Sequence, residues 1–173
     1  MYGVREKSSI RLETHLCIIK IEATLRGNVN ALVIYDSTFG NTKAVAEEIV
    51  NNLDGNAKTL SVKNFHTTDL AGIDLVIWGS PINGWKPTVA TMAVMNELPD
   101  KTFQGIRFTT FDTRVKMFLH GDAKDHMAQA IRRLGGKPIA KPKEFYVKGK
   151  DGPLFEGEIE RAGQWARQIS GKA

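Results

Sequence analysis

The sequence predicts an α/β fold, a doubly wound five-stranded parallel sheet that forms a single domain with helices on both faces. Apolar runs of strand length alternate with segments in which apolar residues recur at helical spacing, and this order produces such a sheet. The run at residues 73–81 is too apolar to have one face in water, as is usual for a strand inside a parallel sheet. A length of 173 residues with 42% apolar residues suits one compact core.

The predicted strands are short apolar runs that end at polar or turn residues. The first is expected to be buried, the second is shorter, and the third is expected at the centre of the sheet. In chain order they span residues 30–36, 57–62, 73–81, 106–112 and 142–148.

Four predicted helices follow the first, third, fourth and fifth strands, each with one apolar stripe at helical spacing. The first helix ends near Gly55 and the third at Gly135 and Gly136, because glycine readily adopts the backbone conformation that terminates a helix. The predicted stripes are Val45, Ile49 and Leu53, then Val89, Met92, Met95 and Leu98, then Met127, Ile131 and Leu134, and finally Ala162, Trp165 and Ile169.

An N-terminal extension, residues 1–29, precedes the predicted domain at residues 30–173. Its apolar stretch at residues 16–19 is too short for a signal peptide or a membrane span. The extension could add a strand at residues 16–25, form a poorly ordered tail or reflect an upstream start, and we expect a dispensable tail. The single cysteine, Cys17, excludes an internal disulfide and fits a reducing compartment, so we expect a cytoplasmic protein.

Charge is unevenly distributed along the chain, which has a formal net charge of +5. Residues 31–106 hold five Lys/Arg against eight Asp/Glu, a balance of −3, whereas residues 107–150 hold eleven against four, a balance of +7. The second half therefore carries a basic face, which either serves solubility or meets an acidic partner. Nucleic acid is not expected, because the chain has neither zinc-finger spacing nor an aromatic RNA-binding signature.

The segment YDSTFGNTKAVAEEI, residues 35–49, is typical of an anion-binding loop. It leaves the first strand and enters the first helix, where the backbone N–H groups are unpaired and the helix dipole is positive. Gly40 permits a tight turn, and the spacing of a nucleotide P-loop or a dinucleotide fingerprint is absent. The segment predicts a phosphate site, with an ordinary helix cap as the alternative. Side chains that could bind the phosphate or cap the helix are Ser37, Thr38, Asn41 and Thr42.

Two further loops are expected at the same edge of the sheet, because they follow the third and fourth strands. Residues 79–87, GSPINGWKP, contain Asn83-Gly84, a pair that accepts positive φ and favours an unusual turn. Residues 109–121 form the second of these loops. Both place aromatic rings where a ligand could stack on them. These rings belong to Trp85, Phe111 and Phe118.

Catalytic and metal-binding residues are not predicted. His120 follows the fourth strand, but a histidine in a loop is more often merely exposed, and the other three histidines lack metal-ligand spacing. Trp78 and Trp165 are assigned to the core because they lie within a strand and on the inner stripe of a helix.

Together the three loops resemble those of the flavodoxin family. STFGNT, residues 37–42, is similar to the family's phosphate-loop pattern of hydroxyl-x-hydroxyl-Gly-Asn-Thr, except that Phe39 replaces the second hydroxyl. GPLFEGEIERAGQWA, residues 152–166, resembles the closing segment of many small members. The resemblance runs from about Asn30 to Ser170 and implies the strand order 2-1-3-4-5, which is known for that family.

The resemblance implies FMN as the cofactor. Backbone N–H groups do most of the phosphate binding in such loops, so the loss of one hydroxyl weakens binding without excluding it. Trp85 is expected to stack on the flavin, with Phe111 or Phe118 as substitutes. The peptide between Asn83 and Gly84 is expected near flavin N5. The implied cofactor-binding residues are Ser37, Thr38, Phe39, Gly40, Asn41, Thr42, Ser80, Pro81, Ile82, Asn83, Gly84, Trp85, Phe111, Asp112, Thr113, Arg114 and Gly121.

The function that the resemblance implies is electron transfer by a small flavoprotein, in which FMN supplies the redox chemistry. An FMN-dependent quinone or NAD(P)H oxidoreductase ranks lower, because the chain has no large insertion for a substrate lid, and a flavin-free binding domain ranks third. In the loops nearest the ring, the positive charges of Lys86, Arg114 and Lys116 are opposed by the single negative charge of Asp112. This balance predicts a less negative flavin potential than in the acidic flavodoxins, and redox partners with an acidic docking surface.

Overall fold

The computed structural model describes residues 29–117 and 121–172. The prediction of a dispensable extension therefore falls almost wholly outside the described residues, as do those for Phe118 and His120. Val29, the last residue of the extension, lies beside the second strand, where the N–H of Asn56 donates to its carbonyl oxygen at 3.0 Å.

The described strands form one parallel sheet with the order β2-β1-β3-β4-β5, and β6 also pairs with β4. The predicted fold class and the order 2-1-3-4-5 are confirmed, with β5 and β6 sharing the fifth position along β4. The strands are β1 (Asn30–Tyr35), β2 (Asn56–Ser61), β3 (Leu75–Pro81), β4 (Arg107–Val115), β5 (Lys137–Pro138) and β6 (Lys143–Val147).

Helices cover both faces of the sheet, as the alternating pattern predicts. One face packs against α2 and α3 through a core that includes Trp78, and the other packs against α1 and α4 through a core that includes Trp165. Both tryptophans are buried, which confirms their assignment to the core. The helices are α1 (Asn41–Asn51), α2 (Val89–Glu97), α3 (Ala123–Arg133) and α4 (Glu158–Ser170), and two 3₁₀ turns, Val62–Asn64 and Thr67–Leu70, connect β2 to β3.

The predicted stripe of α2 is wrong at its first residue. Val89 is 80% exposed, whereas Thr91 and Met95 are buried against the core. The sequence VATMAVM is apolar or small almost all the way round, so it contains no polar phase that fixes which side faces inward.

The fourth strand is longer than predicted, and the fifth is divided. The predicted strand ends at Asp112, but β4 continues through Arg114 to Val115 because it pairs with β3 on one side and β6 on the other. The short strand β5 is not in the prediction, because its two residues follow a pair of glycines and include a proline.

Candidate functional site

A cavity of about 300 Å³ opens at the carboxyl ends of β1, β3 and β4. Ligands of doubly wound folds bind at this edge, where the strand order reverses between β1 and β3. The volume is at the lower end for small-molecule sites, so a larger ligand would project beyond it. The lining residues are Ser37, Thr38, Phe39, Asn41, Thr42, Pro81, Ile82, Asn83, Thr88, Thr113 and Lys150.

The first loop leaves the start of α1 open. Gly40 precedes α1 with φ of 87°, and no side-chain hydrogen bond caps the helix within the part of the chain that the structure describes. Of the two roles that the sequence allows for Asn41 and Thr42, helix capping is therefore not found, and ligand binding is still a prediction. The side-chain amide of Asn41 instead donates to the carbonyl oxygen of Asp151 at 3.1 Å, and the hydroxyls of Thr42 and Thr113 are hydrogen-bonded at 2.8 Å.

The hydroxyl of Ser37 points to an anion at this loop. Its Oγ is buried and has no hydrogen-bond partner among the described residues. A buried hydroxyl without a partner is costly, and a phosphate oxygen beside the open helix start would satisfy it. The residues of the first loop therefore fit a phosphate group.

A buried carboxylate lies beneath the first loop. Asp36 accepts the N–H of Ser37 at 2.9 Å and the hydroxyl of Thr88 at 2.5 Å. Thr88 also caps α2, since its side chain accepts the N–H of Thr91. Asp36 thus ties the end of β1 to the start of α2, which closes one wall of the cavity.

The second loop is a tight turn with an unusual backbone. Asn83 and Lys86 exchange two backbone hydrogen bonds, of 2.8 and 3.3 Å. Gly84 and Trp85 between them have φ of 54° and 76°, a geometry that suits glycine and is costly for tryptophan. The side chain of Trp85 is 58% exposed and does not line the cavity, so its stacking on a flavin is still a prediction.

The expectation that Phe111 offers a stacking ring is wrong. Its ring is fully buried and makes edge contacts with Phe145 and Trp165 in the core. It occupies the space above Gly79, where a Cβ would lie only 2.1 Å from the ring. Glycine at position 79 therefore lets the ring pack on the backbone of β3, away from the cavity.

The side chains of Asp112 and Arg114 form a buried ion pair with each other, and a contact of this segment with a ligand is still a prediction. The guanidinium of Arg114 makes two contacts with the carboxylate, one through Nε at 2.7 Å, and Asp112 also accepts the N–H of Lys124 at 3.0 Å. Burial raises the pKa of Asp112 above its ordinary value despite this attraction. Burial also acts to lower the pKa of Arg114, but the hydrogen bonds and charge of Asp112 outweigh it and raise that pKa.

Asp122 extends this network to the surface. It lies 2.9 Å from Nζ of Lys124 and 3.3 Å from Arg114. Burial acts to raise the pKa of Asp122, but hydrogen bonds with Asp125 and Lys124, together with the nearby cations, lower it to about 2. The N–H of Asp122 donates to the carbonyl oxygen of Trp85 at 3.1 Å, so the network also holds the tryptophan turn.

The structure divides the predicted site residues into two groups. Nine line the cavity: Ser37, Thr38, Phe39, Asn41, Thr42, Pro81, Ile82, Asn83 and Thr113. The others support it or lie outside it: Gly40, Ser80, Gly84, Trp85, Phe111, Asp112, Arg114 and Gly121.

Thr88 and Lys150 line the cavity although the sequence analysis does not select them. Thr88 precedes a predicted helix, so its cap position is a signal that the sequence contains. Lys150 reaches the cavity only because the loop after β6 folds back over the first loop, which no local pattern indicates.

Within residues 29–117 and 121–172, no three His, Cys, Asp or Glu side chains are grouped so that they could hold a metal ion. The helices of the same residues are all too short or too polar to cross a membrane.

Comparison with known proteins gives one family and several structures of the same fold. The family described as flavodoxin domain matches residues 32–141. A flavodoxin from the domain Archaea is 21% identical, with a TM-score of 0.67 over 83% of this chain and 98% of its own. Flavodoxin 2 from Bacillus cereus is 18% identical, with a TM-score of 0.72 over 84% of this chain and 100% of its own.

A third structure, rubredoxin oxygen:oxidoreductase from Desulfovibrio gigas, is 19% identical with a TM-score of 0.66, over 87% of this chain but only 38% of its own. No curated protein has a significant match to the sequence. At these identities the structural likenesses show the fold alone.

Proposed function

The chain belongs to the flavodoxin domain family, and on that premise we propose that it binds FMN at the cavity and carries electrons between partner proteins. The observation that carries the proposal is the first loop, where the unpaired hydroxyl of Ser37 lies beside a helix start that no side chain caps. This arrangement suits a phosphate group. FMN would supply the redox chemistry when bound, and the protein would supply binding and electrostatics.

The cavity suggests how the chain would hold FMN. Ser37, the hydroxyl of Thr42 and the N–H groups that begin α1 would bind the phosphate. Pro81, Ile82 and Asn83 at the end of β3 would lie beside the flavin, and Trp85 would cover it from the rim.

The surface around the cavity favours a carrier over an enzyme with a closed substrate pocket. The large apolar side chains that the described residues leave exposed all follow the carboxyl ends of strands, and a cavity of about 300 Å³ would leave part of a flavin outside. Apolar residues around a partly exposed redox group suit docking of another protein. The exposed side chains are Phe39, Trp85, Val89, Met117 and Phe155.

The proposed partners present an acidic docking surface. Lys86, Lys116 and Lys150 are exposed beside the same edge of the sheet, and Arg114 is neutralised by Asp112. Attraction between basic and acidic surfaces accelerates encounter, so these lysines would favour an acidic partner.

Titration of the flavin-free protein with FMN tests the proposal. We expect saturable quenching of flavin fluorescence at one FMN per chain, and slow reduction by NADH unless a partner reductase is added. Rapid direct oxidation of NADH in the presence of a quinone, followed by stopped flow, would favour the oxidoreductase. A chain that stays colourless after incubation with FMN would refute both functions.

A further inference from the structure

We propose that Lys150 binds the phosphate group of FMN and makes the cavity select FMN over riboflavin. The inference rests on the proposed function, and it assigns a binding role to a residue outside the three loops of the family resemblance.

The position of Lys150 comes from a compact loop after β6. Residues 148–153 are closed by two backbone hydrogen bonds, from Lys148 N–H to the carbonyl oxygen of Pro153 at 2.8 Å and from Gly152 N–H to that of Gly149 at 3.1 Å. The loop places Lys150 at the same cavity as Ser37.

The loop is fixed to the start of α1. The side-chain amide of Asn41 donates to the carbonyl oxygen of Asp151 at 3.1 Å, next to Lys150. Gly152 packs so closely on the same amide that a Cβ there would lie 2.4 Å from its nitrogen. Asn41, the first residue of α1, thereby holds residues 148–153 beside the first loop, where the phosphate would bind.

The charges at this end of the cavity give Lys150 a function. The buried carboxylate of Asp36 lies beneath the first loop, so a phosphate dianion would add negative charge beside an existing negative charge. Among the cavity-lining residues that the structure describes, Lys150 is the one with a charged side chain. Its ammonium group would offset the phosphate charge, and riboflavin has no phosphate to gain from it.

Affinities for FMN and riboflavin test the inference, measured by fluorescence with Lys150→Met, Lys150→Arg and the matched control Lys148→Met. Lys148 is an exposed lysine of the same loop that does not line the cavity. We expect Lys150→Met to weaken FMN on the order of tenfold at low salt and riboflavin less than twofold, since Lys150 is exposed and partly screened. Lys150→Arg and Lys148→Met should stay near wild type, and 0.5 M salt should reduce the difference.

The possible outcomes separate this inference from the proposed function. Normal FMN binding with an unchanged FMN-to-riboflavin ratio in Lys150→Met would refute the role of Lys150 alone. An equal loss for both flavins, or the same loss in Lys148→Met, would show that the loop acts through stability or net charge and would also overturn it. Wild-type protein that binds neither flavin would refute the proposed function and this role with it.

Discussion

Two aromatic side chains near strand ends show how local backbone decides which ring can meet a ligand. Phe111 lies on β4 above a glycine of β3, so its ring turns into the core. Trp85 lies at the second central position of a tight turn and is exposed. Its φ of 76° is costly for a residue with a Cβ, so the turn carries backbone strain that glycine at this position would relieve.

Trp85→Gly and Trp85→Ala together separate the strain from the ring. Both variants lose the indole, so we expect each to weaken FMN by roughly 1–3 kcal/mol and to raise the fluorescence of bound flavin. Glycine adopts positive φ freely and alanine does not, so the flavin-free glycine variant should be more stable by about 1 kcal/mol in urea unfolding. Unchanged FMN affinity in both variants would show that the ring points away from the flavin.

Thr42→Ala tests the contribution of a hydroxyl to the phosphate site. We expect FMN affinity to fall by about 1–3 kcal/mol, because a hydrogen bond to a charged group is lost, and riboflavin affinity to stay the same. The free energy of unfolding should also fall by about 1 kcal/mol, because the bond to the hydroxyl of Thr113 is removed. Thr42→Ser is the control that retains the hydroxyl, and equal losses for FMN and riboflavin would show an effect through stability only.

The end of β4 and the start of α3 are joined by charged side chains. Asp112 and Arg114 are buried on β4, and Asp122 and Lys124 continue the network into α3. Asp122 then holds the tryptophan turn through the carbonyl oxygen of Trp85, and Gly121 packs so closely there that a Cβ would lie 2.2 Å from the Cα of Trp85.

Breaking the buried pair by Asp112→Ala should lower the free energy of unfolding by about 3–5 kcal/mol, because Arg114 would keep a buried charge with less compensation.

The lowered pKa of Asp122 predicts how stability changes in acid. The pKa of Asp122 is about 2 in the folded chain, below its ordinary value of 3.8, so the folded state stabilises the ionised carboxylate more than the unfolded state does. The resulting stability is present above about pH 4 and is lost as the pH falls toward 2. Thermal unfolding between pH 5 and 2 should therefore decline less steeply in Asp122→Asn than in wild type. Parallel curves for the two proteins would contradict this contribution.

The sequence predicts the elements well where hydrophobic pattern decides and fails where tertiary contacts decide. The alternation of apolar runs predicts the parallel sheet, and the position of the first loop at the carboxyl end of β1 is predicted as well, whereas anion binding by that loop is still a prediction. The polar sequence after Asp112 suggests the end of the fourth strand, but pairing on both sides keeps Thr113 and Arg114 within β4. Lys150 lies more than a hundred residues from Ser37 in the chain, and only the folded loop after β6 brings the two to one cavity.

The effect of the chain's net positive charge depends on the positions of its basic side chains. Arg114 no longer counts among the cations predicted near the flavin, because it is paired with Asp112 and contributes little net charge. Lys86 and Lys116 are exposed at the carboxyl edge of the sheet, whereas Arg132 and Lys137 are exposed toward its amino edge. The less negative flavin potential is therefore still a prediction, and it now depends on Lys86 and Lys116.

Small charged oxidants test this distribution without a known partner. FMN-loaded protein, once reduced, should be oxidised by ferricyanide roughly fivefold more slowly at about 0.1 M ionic strength when Lys86→Gln and Lys116→Gln are combined. Two unit charges about 10 Å from a trivalent anion produce an attraction of this order after screening. Hexaamminecobalt(III), a cation, should react faster with the same variant, and the midpoint potential of the flavin should fall.

The matched control, Arg132→Gln with Lys137→Gln, removes the same charge at the far edge and should change these rates little. If both pairs slow ferricyanide equally, net charge alone sets the rate and the lysines beside the cavity do not define a docking surface.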